Sequence, residues 1–263
     1  GDKSADEKEV LWSIGRATIT TAPSVAGALT YTGEAQAPTW QNFDPAKLTK
    51  TETAQTNAGD YSTSFTPTKN YQWSGGDTSA RTVPWSIGRA TIEAVPEQSG
   101  SLTYTGSAQS PAWTGHDSAK LTIGGDTTGT NAGDYTASFT PTANYKWPDG
   151  TTTARTAKWS IGKAAGSLTL DKTSMSLTSA SAFGTITANR AGDGAVSAQS
   201  SNTNVATVSV SDNTVLVNAV GDGTATITIK VAEGTNHTAP GNKTCKVQVD
   251  IPHIYGVSWD GTS

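Results

Sequence analysis

A single cysteine, Cys245, and a single methionine stand in 263 residues. One thiol allows no intramolecular disulfide and no multi-cysteine zinc site, so the fold must stand on packing alone. It does not identify the compartment, because a lone buried thiol behaves as a small hydrophobe. Charge is sparse as well, at 15% of residues, with 18 Lys plus Arg against 22 Asp plus Glu and a net charge of -4. A phosphate-binding surface needs an excess of clustered cations, so nucleic acid is excluded as a partner. No apolar run approaches the roughly 18 residues that span a bilayer, and membrane insertion is not expected. Good helix formers are scarce. What is abundant is Thr and Ser, 45 and 27 residues, with 27 Gly and 11 Pro. Thr, Val, Ile, Tyr and Trp suit half-buried strands, so an all-helical protein is excluded and a doubly wound α/β enzyme disfavoured.

The chain repeats itself. Trp-Ser-Ile-Gly-Arg-Ala-Thr-Ile at Trp12 to Ile19 recurs identically at Trp85 to Ile92, and Trp-Ser-Ile-Gly returns at Trp159 to Gly162. Between Trp12 and Leu48, 23 of 37 positions are identical to those 73 residues later. The offset becomes 74 by Asn57-Ala58-Gly59-Asp60-Tyr61, which returns at Asn131 to Tyr135, so one residue is inserted between. Phe65, Tyr71 and Trp73 map onto Phe139, Tyr145 and Trp147. Within a copy, Tyr61, Thr63 and Phe65 alternate with Ser62 and Ser64, and Gly-containing turns punctuate short runs. Strands at this spacing predict a sandwich or barrel. A third segment differs: Ala225, Ile227, Ile229 and Val231 alternate, as do Val247, Val249 and Ile251, with further strand positions at Val205, Val208, Val215, Val217 and Val220.

The expected fold is therefore all-β, tandem β-sandwich domains arranged as an elongated rod. The expected boundaries are 1–15 (closing strand of a preceding repeat), 16–88, 89–162, 163–251, and 252–263 (start of a following module or linker). Residues 1–15 are assigned this way because Trp12-Ser13-Ile14-Gly15 closes a copy in its other two occurrences.

Residues 16 to 162 resemble the MBG-type bacterial immunoglobulin-like repeats, through Tyr31-Thr32-Gly33 with Ala35-Gln36, Asn57 to Tyr61, Asn70-Tyr71 and their second-copy equivalents. Residues 167 to 251 resemble a bacterial immunoglobulin-like group 2 domain, through Ser201 to Val208 and Val217 to Thr228. That family usually has a glycine before its central valine strand; Asn213-Thr214 stands there, which implies a changed turn. Tyr255 to Ser263 is similar to the opening of C-terminal modules in prophage tail-associated proteins. These resemblances imply fold and a surface or virion setting, and say little of ligand.

No catalytic, cofactor-binding or metal-binding residue is expected. Tyr61 and Tyr135 resemble the tyrosine corner of immunoglobulin-like sandwiches, whose hydroxyl bonds backbone a few residues upstream. Trp73 and Trp147, beside Tyr71 and Tyr145, suit either a sugar-stacking platform or a core, with the core favoured; Trp40 and Trp113 are expected as core anchors. Gly192-Asp193-Gly194 and Gly221-Asp222-Gly223 carry one carboxylate each, short of the cluster that calcium needs. His116, His237 and His253 share no ligand spacing and read as solvated loop residues. No nucleophile elbow or phosphate loop occurs. A Lys-to-Asn isopeptide bond, known in some adhesin domains, is disfavoured.

The expectation is thus a non-enzymatic stalk or spacer array of a surface-exposed bacterial or phage virion protein, located outside the cell and presenting a recognition module for adhesion. Its partners would be neighbouring domains of the same longer chain. The rivals are a direct glycan- or host-cell-binding module, with a cell-surface glycan or protein as partner, and accessory domains of a secreted carbohydrate-active enzyme. Recognition would sit where the copies differ, at Gln41-Asn42-Phe43 and Thr114-Gly115-His116.

Overall fold

The computed structural model of the chain describes residues 9 to 251, all of it strand, turn or coil. None of the described residues forms a helix long and apolar enough to cross a membrane. The segment 252–263, with His253 and the tail-like motif at its end, lies outside the described residues, as do 1–8.

The first copy contributes β1 (Ala17–Ile19), β2 (Ser24–Val25), β3 (Leu29–Thr30), β4 (Trp40–Gln41), β5 (Leu48–Thr51), β6 (Gly59–Pro67), β7 (Tyr71–Trp73) and β8 (Arg81–Gly88). Four of these form one sheet in the order β3-β8-β6-β5, while β1 pairs with β7 and β2 with β4. The period-2 alternation sets the inward face, since successive side chains of a strand point to opposite sides. Thr63 and Phe65 on β6 are fully buried, while Ser62 is exposed. Phe65 joins Ile19, Leu48 and Trp73 in the core, with Trp40 edge-on to it at 4.8 Å.

The second copy repeats this strand for strand with β9 (Ala90–Thr91), β10 (Glu97–Ser99), β11 (Leu102–Thr103), β12 (Ala112–Thr114), β13 (Leu121–Gly125), β14 (Gly133–Pro141), β15 (Tyr145–Lys146) and β16 (Arg155–Gly162). Its sheet runs β11-β16-β14-β13, the same order.

The inserted residue has a visible consequence. β13 is one residue longer than β5 and ends at Gly125, whose φ is 72°. A Cβ there would lie 2.7 Å from the Thr136 carbonyl oxygen, the tight left-handed geometry of a bulge residue. The next carbonyl, of Asp126, accepts the Trp159 indole N–H at 2.6 Å. In the first copy, without that bulge, the buried Trp85 Nε1 has no hydrogen-bond partner among the described residues. Replacing each indole by Phe removes similar volume, so the two losses should differ by the hydrogen bond alone. Trp159→Phe is expected to cost about 1 to 3 kcal/mol more than Trp85→Phe, because it orphans a carbonyl as well as losing a bond. Denaturant unfolding of the two variants checks this; equal losses would mean that Trp85 has a water partner.

The third segment holds β17 (Ser167–Leu170), β18 (Ser174–Thr178), β19 (Phe183–Ala191), β20 (Val196–Ser200), β21 (Ala206–Ser211), β22 (Thr214–Ala219), β23 (Gly223–Val231) and β24 (Lys243–Asp250). They form two four-stranded sheets, β17-β19-β22-β21 and β18-β24-β23-β20. The alternating residues of β23 and β24 meet in one core with Val215, Val217 and Cys245. Burial pushes the Cys245 thiol pKa up, which keeps it a neutral packing group. Three of the expected strand positions fall outside strands: Val205 is buried in the turn before β21, Ile251 lies just past β24, and Val220 is 53% exposed just beyond β22. Between β21 and β22 the turn is Asp212-Asn213, with Asp212 at φ 51°, a conformation that Asp and Asn tolerate best after glycine.

Two compact units divide the described chain. One holds the first copy through Val95 with 115–123 and 139–155; the other holds 96–114, 124–138 and the chain from Thr156 on. Each unit thus contains one place where consecutive segments meet.

Candidate functional site

The residues singled out by chemistry fall mostly into packing roles. Trp73 and Trp147 are 1% and 0% exposed, with the Arg81 and Arg155 guanidinium groups each 4.8 Å from the ring centroid. Their indole N–H groups donate to the Ser79 and Thr153 carbonyls. A sugar cannot stack on a buried ring whose face is covered by arginine, so the tryptophan platform is overturned. Trp40 and Trp113, expected as the anchors, are only half-buried. Trp40 donates to Glu52, which also accepts from Lys50 and Thr63.

In the differing loops one residue each turns inward, while Gln41, Asn42, Thr114 and Gly115 stay exposed. Phe43 lies 5.6 Å from Phe65, and His116 lies 5.5 Å from Phe139, so Phe and His fill the same space in the two copies. Asn42 and Gly115 precede them in the same left-handed conformation, φ 58° and 83°. His116 is therefore half-buried rather than solvated, with Nε2 3.3 Å from the Leu121 carbonyl oxygen. The tyrosine corner is present in both copies: Tyr61 Oη donates to Asn57 O at 2.8 Å, and Tyr135 Oη to Asn131 O at 2.7 Å. That bond holds the Asn-Ala-Gly loop at the end of the sandwich, and the loop's free N–H groups have a use.

In the first compact unit, Asn144, just ahead of β15, reaches the loop of the first copy. Its Oδ1 accepts the Ala58 N–H at 2.9 Å, and its Nδ2 donates to Asn57 Oδ1 at 3.1 Å. Tyr145 meets Tyr31 edge to face at 5.4 Å. The Asn144 backbone is itself pinned, because its carbonyl accepts the Ala90 N–H at 2.9 Å, while Arg89 Nε donates to Ala143 O at 2.9 Å. One amide side chain thus satisfies a donor and an acceptor that the sandwich end leaves unpaired.

In the second unit the same clamp is built from a different sequence. Asn236 Oδ1 accepts the Ala132 N–H at 2.8 Å, and its Nδ2 donates to Asn131 Oδ1 at 3.3 Å. His237 meets Tyr104 edge to face at 5.3 Å, taking the place of Tyr145. Ala164 N–H donates to Asn236 O at 2.9 Å, and Lys163 Nζ bonds Gly234 O at 2.8 Å. His237 is consequently half-buried, not a solvated loop residue. The sequence held a signal for this that went unread: a basic residue and Ala open each segment (Arg16-Ala17, Arg89-Ala90, Lys163-Ala164), and an Asn-aromatic pair follows in each (Asn70-Tyr71, Asn144-Tyr145, Asn236-His237).

Asp193 serves this second clamp. Its Oδ2 accepts the Asn236 N–H at 2.9 Å, and its Oδ1 lies 3.2 Å from His237 Nδ1. The Asn236 backbone bond, against some desolvation and with help from His237, holds the Asp193 pKa below its usual 3.8. A depressed carboxylate pKa contributes stability above the unfolded value, and that contribution is lost as pH falls through the folded one. Acid should therefore loosen the Asn236 clamp before the Asn144 clamp, where no carboxylate among the described residues bonds the asparagine. Amide exchange at Ala132 and Ala58, corrected for intrinsic rates between pH 5 and pH 2.5, measures this (approximate limits set by carboxylate titration). An Asp193→Asn chain should lose the difference; its persistence would refute the role of Asp193.

No family model matches the sequence, and no curated protein matches it. Solved structures to which the chain is similar include domains 4 and 5 of the S-layer protein SbsC, at 23% identity over 53% of this chain and 82% of that one, TM-score 0.28. The fibronectin(III)-like modules of Clostridium thermocellum CbhA match at 14% identity over 65% and 95%, TM-score 0.29. A SusE-like surface located polysaccharide binding protein from Bacteroides thetaiotaomicron matches at 8% identity over 86% and 58%, TM-score 0.25. The tandem β-sandwich fold stands on the strand pairings themselves.

Proposed function

We propose that the chain is a non-enzymatic stalk or spacer array of a surface-exposed bacterial or phage virion protein, with modules at 16–88, 89–162 and 163–251. It would hold a recognition module away from its anchoring surface. The observation that supports this most is the asparagine clamp, made twice and once by a segment of unrelated sequence. A contact retained while the partner's sequence changes points to the joint as the feature in use. The connections agree with it: β8 ends at Gly88 and β9 begins at Ala90, leaving one residue and no flexible linker. The kinship of 16–162 to MBG-type repeats and of 167–251 to group 2 domains belongs to the same proposal, as does the extracellular setting.

The test is small-angle scattering of the intact chain. Three modules placed end to end should span about 110 to 130 Å, from strands of about ten residues at roughly 3.3 Å each plus loops. A compact particle, with modules folded back on one another, would overturn the stalk.

A further inference from the structure

The clamp has a third, unoccupied set of parts. Ala17 N–H donates to Asn70 O at 2.9 Å, as Ala90 does to Asn144 and Ala164 to Asn236. Arg16 Nε donates to Lys69 O at 2.9 Å, as Arg89 does to Ala143. β1 pairs in parallel with β7 in the register Ala17↔Tyr71, which matches Ala90↔Tyr145 and Ala164↔His237. The backbone that aims the asparagine is thus already assembled. Yet Asn70 is exposed, where Asn144 and Asn236 are half-buried, and its side-chain amide makes no hydrogen bond among the described residues. A cleft of about 450 Å³ opens over Arg16, Ala17, Asn70 and Tyr71.

We propose that the Asn70–Tyr71 end of the first module is a docking surface for another module of this repeat type, which it grips through that module's Asn-Ala-Gly loop and Tyr-Thr-Gly turn. Asn70 Oδ1 takes the loop alanine N–H, Asn70 Nδ2 bonds the loop asparagine, and Tyr71 meets the turn tyrosine edge to face. The occupant is specified by two filled examples in the same chain, one of them gripped by a segment that differs from this end in only two residues. Thr142-Ala143-Asn144-Tyr145-Lys146-Trp147 becomes Thr68-Lys69-Asn70-Tyr71-Gln72-Trp73 on changing Ala143 to Lys and Lys146 to Gln. The residues just before Arg16 point to the same occupant. Trp85 and Ile87 are 6% and 2% exposed in β8, and Trp159 and Ile161 are 2% each in β16. The identical Trp12 and Ile14 are 78% and 83% exposed. They have the sequence of a module's closing strand but, among the described residues, none of its burial.

The test inserts a copy of residues 16 to 84 between Leu11 and Trp12 of the full chain, so that the join reads as at Pro84–Arg89. Amide exchange at the inserted copy's Ala58 should then slow by about tenfold or more relative to the same chain carrying Asn70→Ala in its original first module, the protection expected of one added hydrogen bond. In the uninserted chain Asn70→Ala should change no amide outside its own turn. Equal exchange with and without Asn70→Ala in the lengthened chain would overturn the proposal. A second variant decides the matter if the inserted copy fails to fold: Ala143→Lys with Lys146→Gln in the original chain should keep Ala58 protected within about threefold of wild type, a margin under one hydrogen bond. Loss of that protection would show that the Lys69/Gln72 surface cannot grip, and would equally overturn it. The inference rests on the modular array, but scattering from the uninserted chain tests that array without Asn70, so the two fail separately.

Discussion

Replacing Trp147 by alanine is expected to cost about 3 to 5 kcal/mol, the usual range for emptying a buried tryptophan site. The indole is fully buried, and its N–H serves the Thr153 carbonyl at 2.8 Å. Truncation leaves a cavity and an orphaned carbonyl together, and it removes the surface on which Arg155 rests. A domain's whole stability is about 5 to 15 kcal/mol, so a module of this size would be close to unfolding. Half-buried Trp113 should cost distinctly less, because part of its ring already faces water. Thermal unfolding of Trp147→Ala beside Trp113→Ala provides the measurement. Equal losses would mean that the half-buried ring carries as much packing as the buried one.

Gly166→Ala is expected to be nearly as severe, for a different reason. A Cβ at Gly166 would clash with the Thr238 carbonyl oxygen, well inside van der Waals contact, and would lie 3.1 Å from Pro240 Cδ. Neither group is the loose end of a flexible side chain, so backbone must move. Overpacking of this kind costs roughly 1 to 3 kcal/mol and sometimes more. The displaced segment is the loop between β23 and β24 that carries Asn236 and His237, with Thr238 N–H bonded to Ala164 O at 2.9 Å. The variant should therefore lose protection at the Ala132 amide while Ala58, gripped by Asn144, stays unchanged. If both amides respond alike, the damage is general unfolding and not displacement of the clamp.

Much of the fold was legible because a sandwich writes its burial as alternation. Thr63 and Phe65 on β6, and Ile227 and Ile229 on β23, face inward as their period requires. The tyrosine corners were legible because a corner is local, spanning only Asn57 to Tyr61. The tryptophans were harder. Duplication kept Trp40, Trp73 and Trp85 alike, so identity between copies could not rank them by depth. Depth depends on which strands cover a residue, and that is set by partners far away in sequence. The clamp was illegible for a related reason. Asn70 and Asn144 are one more repeated pair, and Asn236-His237 lies outside the repeat, in a segment of different sequence. The shared basic-Ala and Asn-aromatic pairs become meaningful once the distances from Asn144 to Ala58 and from Asn236 to Ala132, across 86 and 104 residues, give them a shared role.

The parallel pairings near the two ends of each segment bear on how tension would be carried. β3 pairs in parallel with β8 and β11 with β16, over two residue pairs each, whereas β18 pairs in parallel with β24 over five. Where a strand near the start of a segment lies parallel beside its closing strand, pulling the segment's ends apart loads their hydrogen bonds side by side in shear. They must then break together and cannot peel open one at a time. The third segment, with the longer zipper, would hold while the two repeats yielded first and paid out chain, as extensible links beside a stiffer one.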